Sequence, residues 1–183
     1  MKKLIEPYNK KWKQEFEILK THLLVHLKGL HIEIQHIGST AIPEIYAKPI
    51  LDIDIIIEDK DLLNSIEERL KIIGYTNYGE LGIPGRFAFK IKSDLTSKEW
   101  MEHHLYVCFS DSVALKNHLN FRDILLKNKD LREQYSTLKL NILNQKDLSR
   151  EDYTKQKTAF VLSILEKNGF EKLELEAIKK ANE

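Results

Sequence analysis

The first third of the chain alternates between two hydrophobic periods, one typical of helices and one typical of strands. Apolar residues recur at helical spacing from Trp12 to Leu27, and Gly29 is suited to end that helix. Residues 32–37 and 50–57 instead place apolar side chains at every second position. That period predicts two strands, each with one face turned toward a core.

The rest of the chain continues this alternation and then becomes helical. A helix is predicted within residues 59–74, and helical spacing returns after Asp111, where Ser149 and Asp152 resemble a capping box. The pattern also predicts three strands at residues 75–81, 87–91 and 103–109, a glycine-rich turn at 82–85 and a polar loop at 93–99. This order predicts an α/β (α+β) fold, with a mixed β-sheet flanked by helices and a C-terminal helical region.

Composition narrows the class of protein. Hydrophobic residues make up 42% of the 183 residues, which suits a single domain with a core over residues 1–110 and helices over residues 111–183. The net charge of +1 argues against a long nucleic acid as partner. The single cysteine, Cys108, excludes an internal disulfide. No apolar run is long enough for a membrane span or a signal peptide, so we expect a cytoplasmic protein without a membrane partner.

Two aspartates on a predicted strand carry the clearest chemistry. Asp52 and Asp54 are two residues apart, so they point to the same face of the strand at residues 50–57. Two carboxylates beside an apolar sheet repel each other and lose solvation, and a divalent cation removes that conflict. Oxygen ligands with open coordination positions suit Mg²⁺ or Mn²⁺ bound together with phosphates. A solvated strand edge is the alternative explanation.

A Gly-Ser pair precedes the aspartates by about a dozen residues. Gly38 allows a phosphate to approach the backbone, and the Ser39 hydroxyl beside free N–H groups can hold it, with Thr40 next in the chain. Taken alone, Gly-Ser-Thr is also a common turn. In combination with Asp-x-Asp, the spacing favours a functional site.

This spacing resembles the signature of the nucleotidyltransferase fold superfamily, and the wider set of motifs resembles the GrpB family. The resemblance runs in order from Leu4 to about Leu165. It departs from the family at Glu44, where glycine is usual, and at Tyr106, where histidine is usual. The motifs that carry it are residues 5–8, Trp12, residues 36–43, 47–50, 52–54 and 82–86, His103, residues 118–123, Tyr135 with Lys139, and Arg150 with Tyr153 and Lys157.

The resemblance implies a metal-dependent enzyme that transfers a nucleotidyl group from a nucleoside triphosphate to an unknown acceptor, for which we expect a small molecule. It implies Asp52 and Asp54 as metal ligands and Gly38 and Ser39 as the phosphate loop. A non-catalytic nucleotide-binding or regulatory protein with the same fold is the alternative. The presence of Gly38, Ser39, Asp52 and Asp54 does not distinguish the enzyme from the non-catalytic protein.

A third group from a later strand often completes such sites, and here its identity stays open. On the strand at residues 103–109, alternation puts Glu102 and His104 on one face and His103 on the other. Parity alone does not decide which face meets the aspartates. The family pattern favours His103, and His104 is the other candidate.

Several basic residues are further candidates for holding phosphates. Arg86 and Lys90 share a strand face, and a solvated outer face is an equal alternative for both. Lys48 could contact a triphosphate or pair with Glu44. We expect the group around His118 and Arg122 to form an internal hydrogen-bond network. For Lys139, Arg150 and Lys157, the alternatives are a cleft wall and a solvated helix face.

Overall fold

A computed structural model describes residues 5–91, 100–145 and 149–182. The polar loop predicted at residues 93–99 lies outside the described residues. Five strands form one sheet: β1 Glu33–Ile37, β2 Leu51–Ile57, β3 Tyr75–Asn77, β4 Arg86–Ile91 and β5 His103–Phe109. The helices are α1 Lys11–His26, α2 Leu62–Ile72, α3 Val113–Lys127, α4 Lys129–Leu143, α5 Arg150–Lys167 and α6 Lys172–Lys180. In these ranges, no helix has the length and apolarity that a bilayer span requires.

The predicted elements agree with these bounds, with one clear exception. The capping box is confirmed, since Ser149 and Asp152 exchange side-chain and backbone hydrogen bonds at the start of α5. The strand predicted over residues 75–81 ends at Asn77. Gly79 has a φ of 74° and Leu81 a φ of 50°, and these left-handed backbones turn the chain out of the extended conformation.

The sheet is mixed, in the order β1-β2-β5-β4-β3. β2 is an inner strand, antiparallel to β1 and parallel to β5. The register places Asp52 beside His104 and Asp54 beside Tyr106. It also places Arg86 of β4 beside Cys108 of β5. These side chains therefore share one face of the sheet.

The opposite face of the sheet forms the main core. Ile53, Ile55 and Ile57 of β2 point there and are almost fully buried. Helices α1 and α2 cover this face with the apolar stripes that the sequence predicted; the stripes include Trp12, Phe16, Leu19, Leu23, Ile66 and Leu70. Full burial of each leucine or isoleucine contributes about 1.5–3 kcal/mol, so this layer fixes β2 firmly.

The C-terminal helices cover the face that carries the aspartates. Leu115 of α3 packs on Ile56 and Cys108 at one end of that face. Tyr135 of α4 and Ile164 of α5 pack with the loop that follows β1. Helix α6 packs on α5 through Ile178. The helices leave a gap over the centre of the sheet, and the candidate site lies in that gap.

Gly38 connects β1 to this site with a backbone that only glycine adopts readily. Its φ is 69° and its ψ is −169°. A Cβ atom built there would lie 2.2 Å from Asp52 Oδ2. The close approach of this backbone to Asp52 therefore requires glycine.

We expect Gly38→Ala to destabilise the protein more than Gly29→Ala. Strain at such a backbone costs about 1–3 kcal/mol, and a side chain at residue 38 adds a collision with Asp52. Gly29 has a φ of 85° but nothing within 4 Å of its Cβ position, so it controls for backbone strain alone. Thermal melts should show the larger drop, roughly 4–8 °C, for Gly38→Ala. Equal drops would mean that residue 38 is not crowded.

Candidate functional site

Each of the two central aspartates is hydrogen-bonded to a histidine. Asp54 is fully buried, and its Oδ2 accepts a hydrogen bond from His118 Nδ1 of α3 at 2.8 Å. Asp52 is partly exposed, and its Oδ1 accepts from His104 Nδ1 of β5 at 2.9 Å. This hydrogen bond raises the pKa of His104. Each carboxylate therefore has a histidine donor, which offsets part of the repulsion predicted between them.

The Gly-Ser segment lies directly against Asp52. The chain passes from Gly38 into a single turn of 3₁₀ helix, Ser39–Ala41. Lys139 of α4 donates a hydrogen bond to Ser39 Oγ at 3.2 Å. Burial, followed by the neighbouring Lys157, lowers the pKa of Lys139 to about 7. The segment therefore presents a hydroxyl group next to a buried lysine.

Two residues predicted to hold phosphates have other contacts. The Thr40 hydroxyl donates to Ile50 O at 3.2 Å and accepts from His36 Nε2 at 3.0 Å. It fastens the loop to the residue before β2, so its hydroxyl is occupied by contacts within the protein. Lys48 is half-buried, with its Nζ 5.8 Å from the centre of the Tyr153 ring. Glu44, the alternative partner considered for Lys48, pairs with Arg132 at 3.0 Å.

The two histidines of β5 face opposite sides of the sheet. His103 is buried in the core face, where Nδ1 donates to Met101 O at 2.8 Å and Nε2 accepts from the Tyr75 hydroxyl at 2.6 Å. Burial lowers its pKa, which fits a neutral ring with both nitrogens occupied. The structure thus places His103, which the family pattern favours, on the core face and away from the aspartates. His104, the alternative, lies on the aspartate face beside Asp52.

Arg86 and Lys90 share the aspartate face but lie apart from each other. The Arg86 guanidinium covers the Tyr106 ring at 4.5 Å, and its buried Nε has no hydrogen-bond partner among the described residues. Lys90 is exposed, and its Nζ lies 4.6 Å from the centre of the Tyr78 ring. The structure therefore brings Arg86 to the site and keeps Lys90 at its outer edge.

A cavity of about 210 Å³ lies over the aspartate face. The loop contributes Gly38 and Ser39 to its wall, and β2 contributes Asp52. Helices α3 and α5 close it with side chains that include His118 and Lys157. The cavity therefore brings together the predicted phosphate loop, a predicted metal ligand and basic residues of the C-terminal helices.

Sequence analysis did not include two residues of this site among its principal candidates. His118 was expected to belong to an internal network, and Arg122 does form one by donating to Gln35 and to His36 O. His118 itself turns to Asp54 instead. The two alternatives for Lys139 are a cleft wall and a solvated helix face, and the side chain is almost fully buried in the site. The available signal was helical spacing, because Tyr135 and Lys139 are one turn apart.

The donor atoms in the site suit two kinds of cation. Asp54 Oδ1 is buried and has no hydrogen-bond partner in the described parts of the chain. Together with Asp52 it forms an oxygen set on one strand face, which suits Mg²⁺ or Mn²⁺. Asp54, Cys108 and His118 also place donor atoms within 4.8 Å of one another. A thiolate and an imidazole would suit a softer cation such as Zn²⁺.

Comparison with known proteins identifies relatives along most of the chain. A sequence model of the GrpB protein family matches residues 3–167. The glutamate-rich protein GrpB of Alkalihalophilus pseudofirmus is 34% identical over 88% of this chain and 93% of its own length. The UPF0157 protein YqkA of Bacillus subtilis is 32% identical over 84% of this chain, which spans 43% of that relative.

Solved structures with the same fold fall into two groups. The crystal structure of the conserved protein GrpB from Enterococcus faecalis has a TM-score of 0.74, with 29% identity over 98% of this chain and all of that one. The Cid1 poly(U) polymerase bound to MgGTP has a TM-score of 0.56, with 14% identity over 87% of this chain and 51% of Cid1. At that identity, the likeness shows the fold alone. The chain belongs to the GrpB family and has a nucleotidyltransferase-like fold.

Proposed function

We propose that this protein transfers a nucleotidyl group from a nucleoside triphosphate to a small-molecule acceptor, with Mg²⁺ or Mn²⁺ bound by Asp52 and Asp54. One observation carries the proposal. The two carboxylates share a strand face, and Asp52 meets the Gly38 backbone in a cavity that Ser39 also lines. Carboxylates that bind a cation and a loop that binds phosphates are the two parts that such a transfer needs.

The donor set fits a hard divalent cation. Asp54 Oδ1 is buried without a partner in the described residues, so a cation there would satisfy an otherwise costly group. Asp52 supplies a second carboxylate, although its Oδ1 is also bonded to His104. The cation, when bound, supplies positive charge that neutralises the triphosphate.

The loop and the C-terminal helices would hold the triphosphate. Gly38 leaves no side chain between the backbone and a phosphate oxygen, and Ser39 offers a hydroxyl. Lys139 lies next to that hydroxyl, and Lys157 lines the same cavity. A phosphate placed there favours the charged form of Lys139. The positions of the two lysines on α4 and α5 explain why the helical region belongs to the site.

His118 is placed to take the proton of the acceptor. A carboxylate only accepts hydrogen bonds, so the bond to Asp54 fixes the proton on His118 Nδ1. In a neutral ring the other nitrogen, Nε2, is an acceptor, and His118 lines the cavity. This arrangement of a histidine oriented by a buried carboxylate is suited to general base catalysis.

One observation favours the alternative, a nucleotide-binding protein without turnover. On the site face, β5 carries His104, Tyr106 and Cys108 but no carboxylate. In the superfamily that the chain resembles, a carboxylate from a later strand often completes the site. A binding protein would need only the phosphate loop and the aspartates, so affinity and turnover must be measured separately.

We expect Mg²⁺ to raise the affinity for an α,β-methylene nucleoside triphosphate, which cannot react at the transferred phosphorus. Asp52→Asn and Asp54→Asn should remove this metal dependence, because each removes one charged oxygen ligand. Asp130→Asn, at an exposed position on α4, is the matched control and should leave the dependence intact. Titration calorimetry with Mg²⁺, Mn²⁺, Zn²⁺ and a chelator measures how the affinity for the triphosphate depends on the metal. Metal-independent binding that the two site variants leave unchanged would contradict the proposal.

We expect binding of the triphosphate to load a proton onto Lys139. The pKa of this lysine is lowered to about 7 by burial, so at pH 8 most of it is neutral until an anion binds. Calorimetry at pH 8 in buffers of different ionisation enthalpy should report net proton uptake. Lys139→Met should abolish that uptake, and uptake that persists in the variant would exclude Lys139 as its source.

The same lysine should make stability depend on pH. Its pKa is lowered from 10.5, so between pH 7 and 10.5 the unfolded chain binds the extra proton and stability rises with pH. Below pH 7 the lysine is charged in both states, so the full free-energy cost of burying that charge is present. Lys139→Met should therefore melt above wild type at pH 6, and the difference should shrink toward pH 10. Lys129→Met, at an exposed position, should show no such trend.

We expect His118→Asn to separate binding from turnover. The asparagine amide can still donate to Asp54 but offers no basic nitrogen, so affinity for the triphosphate should stay within about 3-fold while turnover falls about 10²–10⁴-fold. Pyrophosphate release in the presence of small hydroxylated carboxylates measures the turnover. No release by the wild type, despite metal-dependent binding, would favour the alternative of a binding protein.

A further inference from the structure

A second and larger cavity adjoins the proposed nucleotide site. Its volume is about 510 Å³, a size that accommodates a small organic molecule. The two cavities share lining residues, among them Arg86, Asn117 and His118. A molecule in the larger cavity would therefore reach the same histidine that faces the nucleotide.

The two cavities overlap at Arg86 and His118 but extend to different parts of the sheet. The phosphate loop follows β1, on one side of β2. The larger cavity is lined by Arg86 at the start of β4 and by Phe109 at the end of β5, on the other side. β1 and β4 are three strand spacings apart, about 14 Å. In an in-line displacement, the attacking and leaving oxygens lie on opposite sides of the phosphorus. An acceptor in the larger cavity would meet that requirement if pyrophosphate leaves at the loop.

The walls of the larger cavity are mostly apolar and carry one uncompensated charge. Lys60 and Asp111 line it together and pair at 2.9 Å, so their charges cancel. Arg86 is then the remaining permanently charged side chain among the described lining residues. Its buried Nε has no hydrogen-bond partner there. Apolar contacts come from Ile83, Pro84, Phe109, Val113, Ala114 and Ile178.

We propose that the larger cavity binds the acceptor, and that the acceptor is a small organic monoanion with an apolar body and a free hydroxyl group. This inference rests on the proposed function. The carboxylate or phosphate of the acceptor binds Arg86, its body fills the apolar walls, and its hydroxyl lies at His118. A guanidinium favours such an anion because it donates several hydrogen bonds in one plane.

The proposed transfer forms one bond to phosphorus and breaks another. The acceptor oxygen forms a bond to the α-phosphorus of the nucleoside triphosphate, and the bond from that phosphorus to the bridging oxygen of the β-phosphate breaks. Pyrophosphate leaves with the electron pair of the broken bond. The hydroxyl proton passes to His118 Nε2. The products are a nucleotidylated acceptor and pyrophosphate, and no oxidant or reductant is required.

The test uses 4-hydroxyphenylacetate as the probe and uncharged 4-hydroxyphenylacetamide as its matched control. Binding to the full chain is measured by ligand-observed NMR. We expect the anion to bind at least about 10-fold more tightly than the amide, and Arg86→Gln to remove that preference, because a hydrogen bond to a charged group is lost. Arg69→Gln, at a position outside both cavities, should leave it intact.

A second variant blocks the cavity without touching the core. Ala177 is exposed on α6 and lines the larger cavity but not the smaller one. Ala177→Trp should abolish binding of 4-hydroxyphenylacetate and leave Mg²⁺-dependent binding of the α,β-methylene triphosphate unchanged. Failure of the anion to bind, or binding that survives Arg86→Gln or Ala177→Trp, would overturn this inference. Failure of the triphosphate to bind, with the anion still bound as expected, would instead overturn the proposed function.

Discussion

A buried carboxylate on an inner strand of the sheet determines how the two halves of the molecule meet. Asp54 is fully buried on β2, and burying an unpaired carboxylate carries a large free-energy cost. His118 of α3 offsets that cost with a hydrogen bond at 2.8 Å. Removing the histidine would leave the buried carboxylate without this donor, which costs about 1–3 kcal/mol or more for a charged group. The contact therefore fastens the helical region across the sheet and places the cavity beside Asp52.

The sequence could predict the part of the site that is local in the chain. Alternation along one strand is enough to put Asp52 and Asp54 on one face, and Gly38 is explained by its approach to Asp52. His118 and Lys139 reach the site from 64 and 100 residues away, to Asp54 and Ser39 respectively. Helical spacing shows that such residues share a helix face, but it does not show which part of the sheet that face meets.

His103 and Thr40 show what a family pattern and a motif do not reveal about where a side chain lies. Alternation along β5 shows that His103 and His104 point to opposite faces, but it does not show which of these faces meets the core. The Tyr75 hydroxyl and Met101 O occupy both ring nitrogens of His103 on the core face. Thr40 follows Ser39 directly, yet its hydroxyl holds the loop to Ile50 O. Adjacent residues of a tight turn point in different directions, so Gly38 and Ser39 line the cavity while Thr40 faces away from it.

The two departures from the family pattern also have physical consequences. Glu44 replaces the usual glycine and keeps a φ of 67°, a conformation that costs a residue with a side chain about 1–2 kcal/mol. Its ion pair with Arg132 offsets part of that cost. Tyr106 replaces the usual histidine, and its ring supports Arg86.

The most direct test of the proposed metal and phosphate sites is a crystal structure with Mn²⁺ and an α,β-methylene nucleoside triphosphate. The account predicts an anomalous manganese peak between Asp52 and Asp54 with the triphosphate on Ser39, and a peak at Cys108, or none, would contradict it.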